Sequence, residues 1–513
     1  MLNNKKDIIF ISPANKKLGL FHRFVPRSIP IGAGILSAYL IKHGYNPGII
    51  DEEIVSIDEA LLTDTMKQMS EPKIFGISTM TTNAIRAYGI AKIIKHLDDK
   101  AVVVMGGIHP TVMPDEVMNS GYVDYVVRGE GERALLSLVG AIINGSDNFK
   151  NIKSLTYKDS TYKIIHNSLE DKPFDINEIA SFPYHMFDNR YYDLGFILTS
   201  RGCPYDCIFC SQRVITKKRY RARDNVSTIE ELKYLINNLG QKNITFFDDF
   251  FTGNRKRVLE LCGMIREKGL HKKCSFGVQT RGDTVDRELL TEMKKSGFES
   301  LMFGFETSSN HLMKVINKQE TVEDIINGIK LAREIGFTVE ATFIFGFPEE
   351  HFSHRIDALQ IAKSILDRAR FNNATPYPGT KLYEIALKDN KLNVRKGWEN
   401  FNSAGAVTAG IFRKYYVPYC PEGTKPSDLA GEVFLANLLF YLNFSRLKKL
   451  FNVKKGGSGK WFEIPKQKIF NPIVWIYLIL LGIHVILRAI YYILFSQECR
   501  KFFIDGFFKY RKI

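Results

Sequence analysis

The stretch Ser200-Arg-Gly-Cys203-Pro-Tyr-Asp-Cys207-Ile-Phe-Cys210 puts three cysteines within eight residues, spaced Cys-x-x-x-Cys-x-x-Cys. It follows a run at 195–200 that reads as a buried strand. Three thiolates on one tight loop can each hold one iron of a [4Fe–4S] cluster. No fourth cysteine lies nearby in the sequence, so the fourth iron stays open to a substrate or cofactor. Gly202 lets the backbone approach the cluster, and Phe209 can shield it from water. Zinc is the competing metal, but it wants a fourth Cys or His close by. A set of purely structural thiols is the third reading.

Working outward, strand-like runs at 195–200, 244–248, 275–280, 300–305, 340–346 and 369–375 alternate with helix-like stretches near 227–239, 254–269, 286–296, 321–336 and 353–368. Six β/α units predict a partial barrel over 189–385, with chemistry at the carboxyl ends of its strands. Upstream, 7–150 alternates in the same way. Asp7–Ser12, Ile49–Asp51, Lys73–Ser78, Ala101–Gly106 and Tyr122–Val127 are strand candidates, and Gly32–His43 is a helix closed by Gly44. This predicts a doubly wound, Rossmann-like parallel sheet that binds ligands outside its carboxyl edge. Three segments end its strands: Gly76-Ile-Ser78-Thr-Met-Thr-Thr82, Gly106-Gly107-Ile-His109-Pro-Thr111 and Arg128-Gly129-Glu130-Gly-Glu132. Glycines there admit a large flat ligand and hydroxyls supply hydrogen bonds. Alone, they support only a generic nucleotide pocket. The polar stretch 151–188, with Pro173 and Pro183, reads as a linker.

Beyond 385 the pattern becomes helical. Phe434–Phe451 is apolar and then basic, 454–460 is a flexible basic loop, and the apolar run 472–495 is interrupted by His484 and Arg488. That run is long enough to cross a bilayer. A central Arg, however, costs roughly 2.5–3.5 kcal/mol in a spanning helix, and both flanks are basic. An interfacial segment on the cytoplasmic face fits at least as well; a buried helical subdomain is the alternative. Composition sets the wider limits. The 513 residues imply two or three domains. A 45% hydrophobic and 25% charged chain is neither a disordered tail nor a multi-span membrane protein. The net charge of +16 gathers partly near the apolar tail, which favours anionic lipid over nucleic acid. With no appended RNA-binding module, no nucleic-acid partner is expected. Cys262, Cys274, Cys420 and Cys499 are scattered, which fits a reduced compartment. The N-terminal apolar stretch is too short for a signal peptide, so the expected location is the cytoplasm, attached to the inner membrane through the C-terminal region.

The cysteine motif and its surroundings resemble the radical S-adenosylmethionine (SAM) superfamily. The resemblance implies that SAM binds the open iron through its amino and carboxylate groups and is cleaved reductively to a 5′-deoxyadenosyl radical. Phe246-Phe-Asp248-Asp249 resembles the motif that meets the SAM amino group. Gly304-Phe-Glu306 resembles the ribose motif, and Ile344-Phe-Gly346-Phe-Pro-Glu349 the adenine-side motif, with Thr342 where a glycine is often found. Gln279 and Arg281 end the third strand, and Arg281 suits the SAM carboxylate. Each also has a plain structural reading: a helix cap for Asp248 and Asp249, an ion pair for Glu306, a turn for Gly346. Tyr377, in the loop after the last strand, is a candidate substrate contact, with a rigid turn as its alternative.

The N-terminal segments resemble the cobalamin-binding domain often fused before such a barrel. Ser78, Thr82, Gly106, Gly107, His109, Gly129 and Glu130 are the implied cobalamin contacts. The Asp-x-His-x-x-Gly element is missing, so the cobalt is expected without a histidine below it, and His109 beside the corrin or its tail. The implied activity is methylation of an unactivated carbon of a hydrophobic small molecule by a cobalamin-dependent radical SAM enzyme, of the anaerobic magnesium-protoporphyrin ester cyclase or hopanoid methylase type. Flavodoxin or ferredoxin is the implied reductant. Cyclisation, oxidation or C–C coupling on a porphyrin or lipid is the first rival. A non-catalytic cobalamin or membrane-bound sensor is the second, and the intact triplet argues against it.

Overall fold

A computed structural model describes residues 5–14, 29–179, 181–395, 397–409, 415–442, 446 and 472–508. In its N-terminal part a seven-stranded sheet runs in the order β2-β1-β3-β4-β5-β6-β7. The strands are β1 Lys6–Ser12, β2 Pro47–Asp51, β3 Met69–Ser78, β4 Val102–Gly106, β5 Tyr125–Val127, β6 Leu155–Lys158 and β7 Ile164–His166. The first five are mutually parallel. Their continuous apolar runs suit a sheet covered on both faces. The two-residue period of a strand sorts them. Ile8 and Phe10 meet the helices Ile31–Lys42 and Glu132–Ile143, whereas Ile9 and Ile11 meet Glu59–Lys67 and Ala84–Leu97.

The stretch 151–188 is more than the linker expected from its composition. It supplies β6 and β7, which pair antiparallel to β5 and to each other. Three- and four-residue strands leave little periodicity to read in a sequence.

The second part is a six-stranded, wholly parallel sheet in the order β15-β14-β13-β12-β11-β8. Its strands are β8 Phe196–Ile197, β11 Asn243–Phe246, β12 Ser275–Thr280, β13 Phe298–Glu306, β14 Thr338–Phe345 and β15 Arg368–Asn373. Between β8 and β11 a small ribbon, β9 Ser200–Arg201 with β10 Arg221–Ala222, carries the chain past the cysteines. Helices cover the outside of the sheet, and buried phenylalanines fill its core. A partial (β/α)6 barrel results, as the six-unit pattern predicts.

The C-terminal region is helical. Pro426–Tyr441 packs on β15 and on Gln497–Phe508. The basic loop 454–460 lies outside the described residues. The apolar run forms one helix, Pro472–Phe495, of which Trp475–Phe495 is long and apolar enough to span a bilayer. Its two polar residues turn inward. Arg488 is buried, donates to the carbonyls of Ala406, Val407 and Ala409, and lies over the Phe434 ring. His484 is buried as well.

Candidate active site

The cysteine loop is bound on several sides. Gly202, at φ +83°, brings its backbone so close to Arg219 that a Cβ would lie 2.2 Å from that carbonyl oxygen. Only glycine fits both constraints. The Gly202 amide donates to Asp249 at 2.8 Å, the Ile208 amide to the Ile316 carbonyl at 3.0 Å and the Cys210 amide to the Cys207 carbonyl at 3.2 Å. Cys203, Cys207 and Cys210 thereby line one cavity of about 440 Å³ at the carboxyl end of the barrel. Burial pushes the Cys207 thiol up to about 12 and raises Cys203 and Cys210. Thiolates are therefore disfavoured there until a cationic partner arrives. Among the described residues, no three His, Cys, Asp or Glu side chains converge as a single metal ion requires. A cube makes a different demand, since each thiolate meets its own iron around a shared volume. Three thiols lining one cavity are the donor set such a cube takes.

The same cavity takes in Phe209, Asp248, Asp249, Gln279, Arg281 and Glu306. Phe209 packs at a tilt against Phe347, with centroids 5.3 Å apart. Asp248 is 2% exposed and accepts from both the amide and the hydroxyl of Thr199 at 2.6 Å, so it braces the end of β8. Asp249 accepts from Gly202 and, at 3.2 Å, from Gln212. Burial raises both carboxyls. Gln279 is exposed to the cavity. Arg281 is already engaged: it grips Asp283 at 2.8 and 2.9 Å, donates to the carbonyls of Lys318 and Gln319, and stacks 3.6 Å over the Tyr205 ring. Its guanidinium holds the 318–320 turn against the cysteine loop.

Glu306 is the strained residue of the site. Its φ is +67°, at a register break between β13 and β14. A non-glycine residue held there signals a constraint imposed by its neighbours. The Lys318 ammonium sits 3.5 Å from it, and burial raises the carboxyl even so. Gly346 lies elsewhere. At φ +99° it faces the C-terminal region, where a Cβ would meet Leu429 at 2.7 Å, and it does not line the cavity. Tyr377 packs beside Trp398 and Phe401 and is likewise outside the lining.

A second cavity, of about 360 Å³, opens between the two parts of the chain. Ser78, Gly106, Gly107, Gly129 and Glu130 line its N-terminal side, while Gln212, Phe247 and Asp249 line both cavities. Nothing lies within 4 Å of where a Cβ would stand at Gly32 or Gly129. Gly107, at φ +106°, would put one 2.6 Å from the Thr79 carbonyl. At Gly32 and Gly129 a flat ligand can thus lie against the backbone, whereas Gly107 is required by its packing on Thr79. Glu130 looks across the interface and accepts from Arg221 at 2.7 and 2.9 Å and from Arg201 at 3.3 Å; Glu132 meets Arg201 at 2.7 Å. Thr82 is outside the lining. His109 is fully buried beneath it, with Nε2 3.0 Å from the Tyr88 hydroxyl and 3.4 Å from Glu116, which also accepts from Trp398. That position gives His109 no access to a ligand in the cavity.

Sequence reasoning missed Gln212, Met302, Lys318 and Arg370, which also line the barrel cavity. Lys318 follows Asn317 in a turn with two left-handed non-glycine residues, Asn317 and Gln319, and no short motif marks it.

Comparison with known proteins agrees with this architecture. Residues 197–362 match the radical SAM superfamily and 19–139 the B12 binding domain. An uncharacterized methyltransferase of Pyrococcus horikoshii, PH0819, is 32% identical over 79% of this chain and 90% of its own length. The anaerobic magnesium-protoporphyrin IX monomethyl ester cyclase of Cereibacter sphaeroides is 28% identical over 69% of this chain and 60% of its own length. Two solved folds are similar. The radical SAM methyltransferase TsrM from Kitasatospora setae has a TM-score of 0.64 at 22% identity, over 76% of this chain and 79% of its own. The cobalamin-dependent SAM radical enzyme OxsB has a TM-score of 0.70 at 15% identity, over 98% of this chain and 75% of its own.

The three-thiol barrel mouth and the glycine-walled Rossmann-like domain lie within these two family matches. The chain belongs to the radical SAM superfamily, in the branch that carries a B12 binding domain. Its cofactors are a [4Fe–4S] cluster, SAM and cobalamin.

Proposed function

We propose that this enzyme methylates an unactivated carbon of a hydrophobic small molecule. The observation that carries the reading is that the two cavities meet at Gln212, Phe247 and Asp249. Cys203, Cys207 and Cys210 would hold the cluster, with Phe209 against water. Gln279, Glu306 and Lys318 would receive SAM. Ser78, Gly106, Gly107 and Gly129 would carry the corrinoid. When bound, the cluster and SAM supply a hydrogen-abstracting radical and the corrinoid a methyl group. The chain's own residues position and seal the reaction space. Asp249 ties the cysteine loop to its neighbour strand, Arg201 and Arg221 pin Glu130 across the interface, and Arg281 fixes the turn that presents Lys318.

A reaction that consumes an electron implies an external reductase of the flavodoxin or ferredoxin type, and a cluster with an open iron implies anaerobic work. The C-terminal helices support attachment to the cytoplasmic face of a membrane. Ile479, Ile486, Leu494 and Phe495 are each at least 60% exposed, while His484 and Arg488 of that helix face the protein. An apolar outer face over a polar inner one suits a helix lying in the membrane surface. The likeness to the ester cyclase favours ring formation or oxidation as the second reading.

Anaerobic turnover with methyl-labelled SAM decides between them. Label in the product supports methyl transfer. 5′-Deoxyadenosine without label in any product refutes it and leaves the cyclase-type chemistry.

A further inference from the structure

A third cavity, of about 530 Å³, adjoins the corrinoid cavity and shares Gly129, Glu130, Ile215 and Thr216 with it. Its walls carry Arg128, Arg133, Lys153, Lys172, Lys217 and Arg219, against two acids, Glu130 and Glu170. Glu130 is taken up by Arg201 and Arg221 from the barrel. Glu170 faces Lys153 at 3.5 Å, and Arg133 pairs with Glu178 at 2.7 Å. Arg128, Lys217 and Arg219 hydrogen-bond neutral carbonyls, those of Asn167, Glu170 and Asp171. Carbonyls satisfy donors without cancelling charge. Lys172, Lys217 and Arg219 stand at its exposed rim and Arg128 further in, with Asp115 as its acidic neighbour; an anion bound among these four cations would be attracted by all of them. The backbone is held tightly there too: Lys217 and Lys218 are consecutive non-glycine residues at φ +50° and +61°, a conformation that L-residues adopt at a cost.

We infer that this cavity is an oxyanion subsite that takes the phosphate-type group of a ligand reaching in from the corrinoid cavity. The inference rests on the corrinoid reading of that neighbour. Cobalamin offers one such group, the phosphodiester of its nucleotide loop, in a molecule otherwise fringed by neutral amides. A phosphorylated substrate offers the same chemistry. Ammonium and guanidinium groups both bind phosphate through charge-assisted hydrogen bonds.

The test uses the full-length apoprotein, titrated by absorbance with aquocobalamin and with cobinamide, which lacks the nucleotide loop. The variant is Lys172→Ala/Lys217→Gly; glycine suits the left-handed backbone at 217, so the loop keeps its course. Cobalamin binding is expected to weaken about tenfold or more, while cobinamide stays within about twofold. If neither corrinoid responds, but the wild type binds inorganic phosphate by calorimetry and the variant does not, the anion belongs to the substrate and the subsite stands. Equal weakening of both corrinoids, or no corrinoid response together with no phosphate uptake by the wild type, overturns it. A wild type that binds neither corrinoid refutes the corrinoid reading instead, and the phosphate titration still decides the subsite.

Discussion

Replacing Lys318 by Met removes the cation at the centre of the barrel mouth. Its ammonium is 3.5 Å from Glu306 and 3.9 Å from Glu320, and all three side chains are 9% exposed or less. Glu320 keeps other support: the amides of Gly282 and Asp283 at 2.6 and 3.2 Å, and Arg281 at 3.7 Å. Glu306 keeps only the charge of Arg281, which is not within ion-pair distance, so the substitution leaves a buried carboxylate without its nearest counter-charge. Breaking a buried pair from one side costs about 3–5 kcal/mol. The pH dependence has a definite sign. Burial already raises the Glu306 carboxyl and Lys318 opposes that rise. In Lys318→Met the folded value therefore climbs further above the unfolded one. The penalty is full above the folded value and shrinks as pH falls toward about 4.3, where the unfolded group titrates. Burial works against the Lys318 ammonium, but Glu306 and Glu320 outweigh it and hold it above its ordinary value. That support needs ionised partners, and burial raises both carboxyls, so it too fades at acid pH and narrows the gap in the same direction. Denaturant midpoints of the wild type, Lys318→Met and Lys318→Met/Glu306→Gln, at about pH 8 and about pH 5, read this out. The gap should be wide at the higher pH and narrower at the lower, and the double variant should recover most of the loss. A gap of the same size at both pH values, or a double variant no better than the single, would refute the reasoning.

Three further outcomes are expected. Alanine at any one of Cys203, Cys207 or Cys210 should bring reconstituted iron to background with little change in melting temperature; full iron in any of the three would exclude a shared cluster. Gly107→Ala adds a Cβ 2.6 Å from the Thr79 carbonyl at φ +106° and ψ −170°, at a backbone cost of roughly 1–3 kcal/mol, and corrinoid retained after desalting should fall sharply; unchanged retention would place the corrinoid elsewhere. Arg488→Leu strands the carbonyls of Ala406, Val407 and Ala409 and should lower stability by about 1–3 kcal/mol per unsatisfied group at most, leaving co-flotation with anionic vesicles intact. If the helix crosses the bilayer, losing the Arg should strengthen membrane insertion instead.

Much of the site is legible without coordinates because its chemistry is local. The cysteine loop carries its own spacing and its own glycine, and the βα period announces a barrel with its working edge at the strand ends. The same locality leaves the surroundings of these residues unread. Arg281 reaches the cavity as expected, but its hydrogen bonds go to Asp283 and the 318–320 turn, while Gly346 packs on Leu429 and His109 on the Tyr88–Glu116–Trp398 group, all but Asp283 remote in sequence. No reading of the strand ends can see what another segment will present to them.

By itself, the order of residues determined the two α/β units, the trio of thiols on one loop and the glycine edges, because thiol spacing and strand periodicity act within a few residues. Tertiary structure alone decided that Lys318 would face Glu306, that 151–188 would extend the first sheet, and that Arg488 would turn inward to carbonyls. Buried charge and buried backbone must find partners wherever the folded chain brings them, and that requirement is satisfied across long sequence separations.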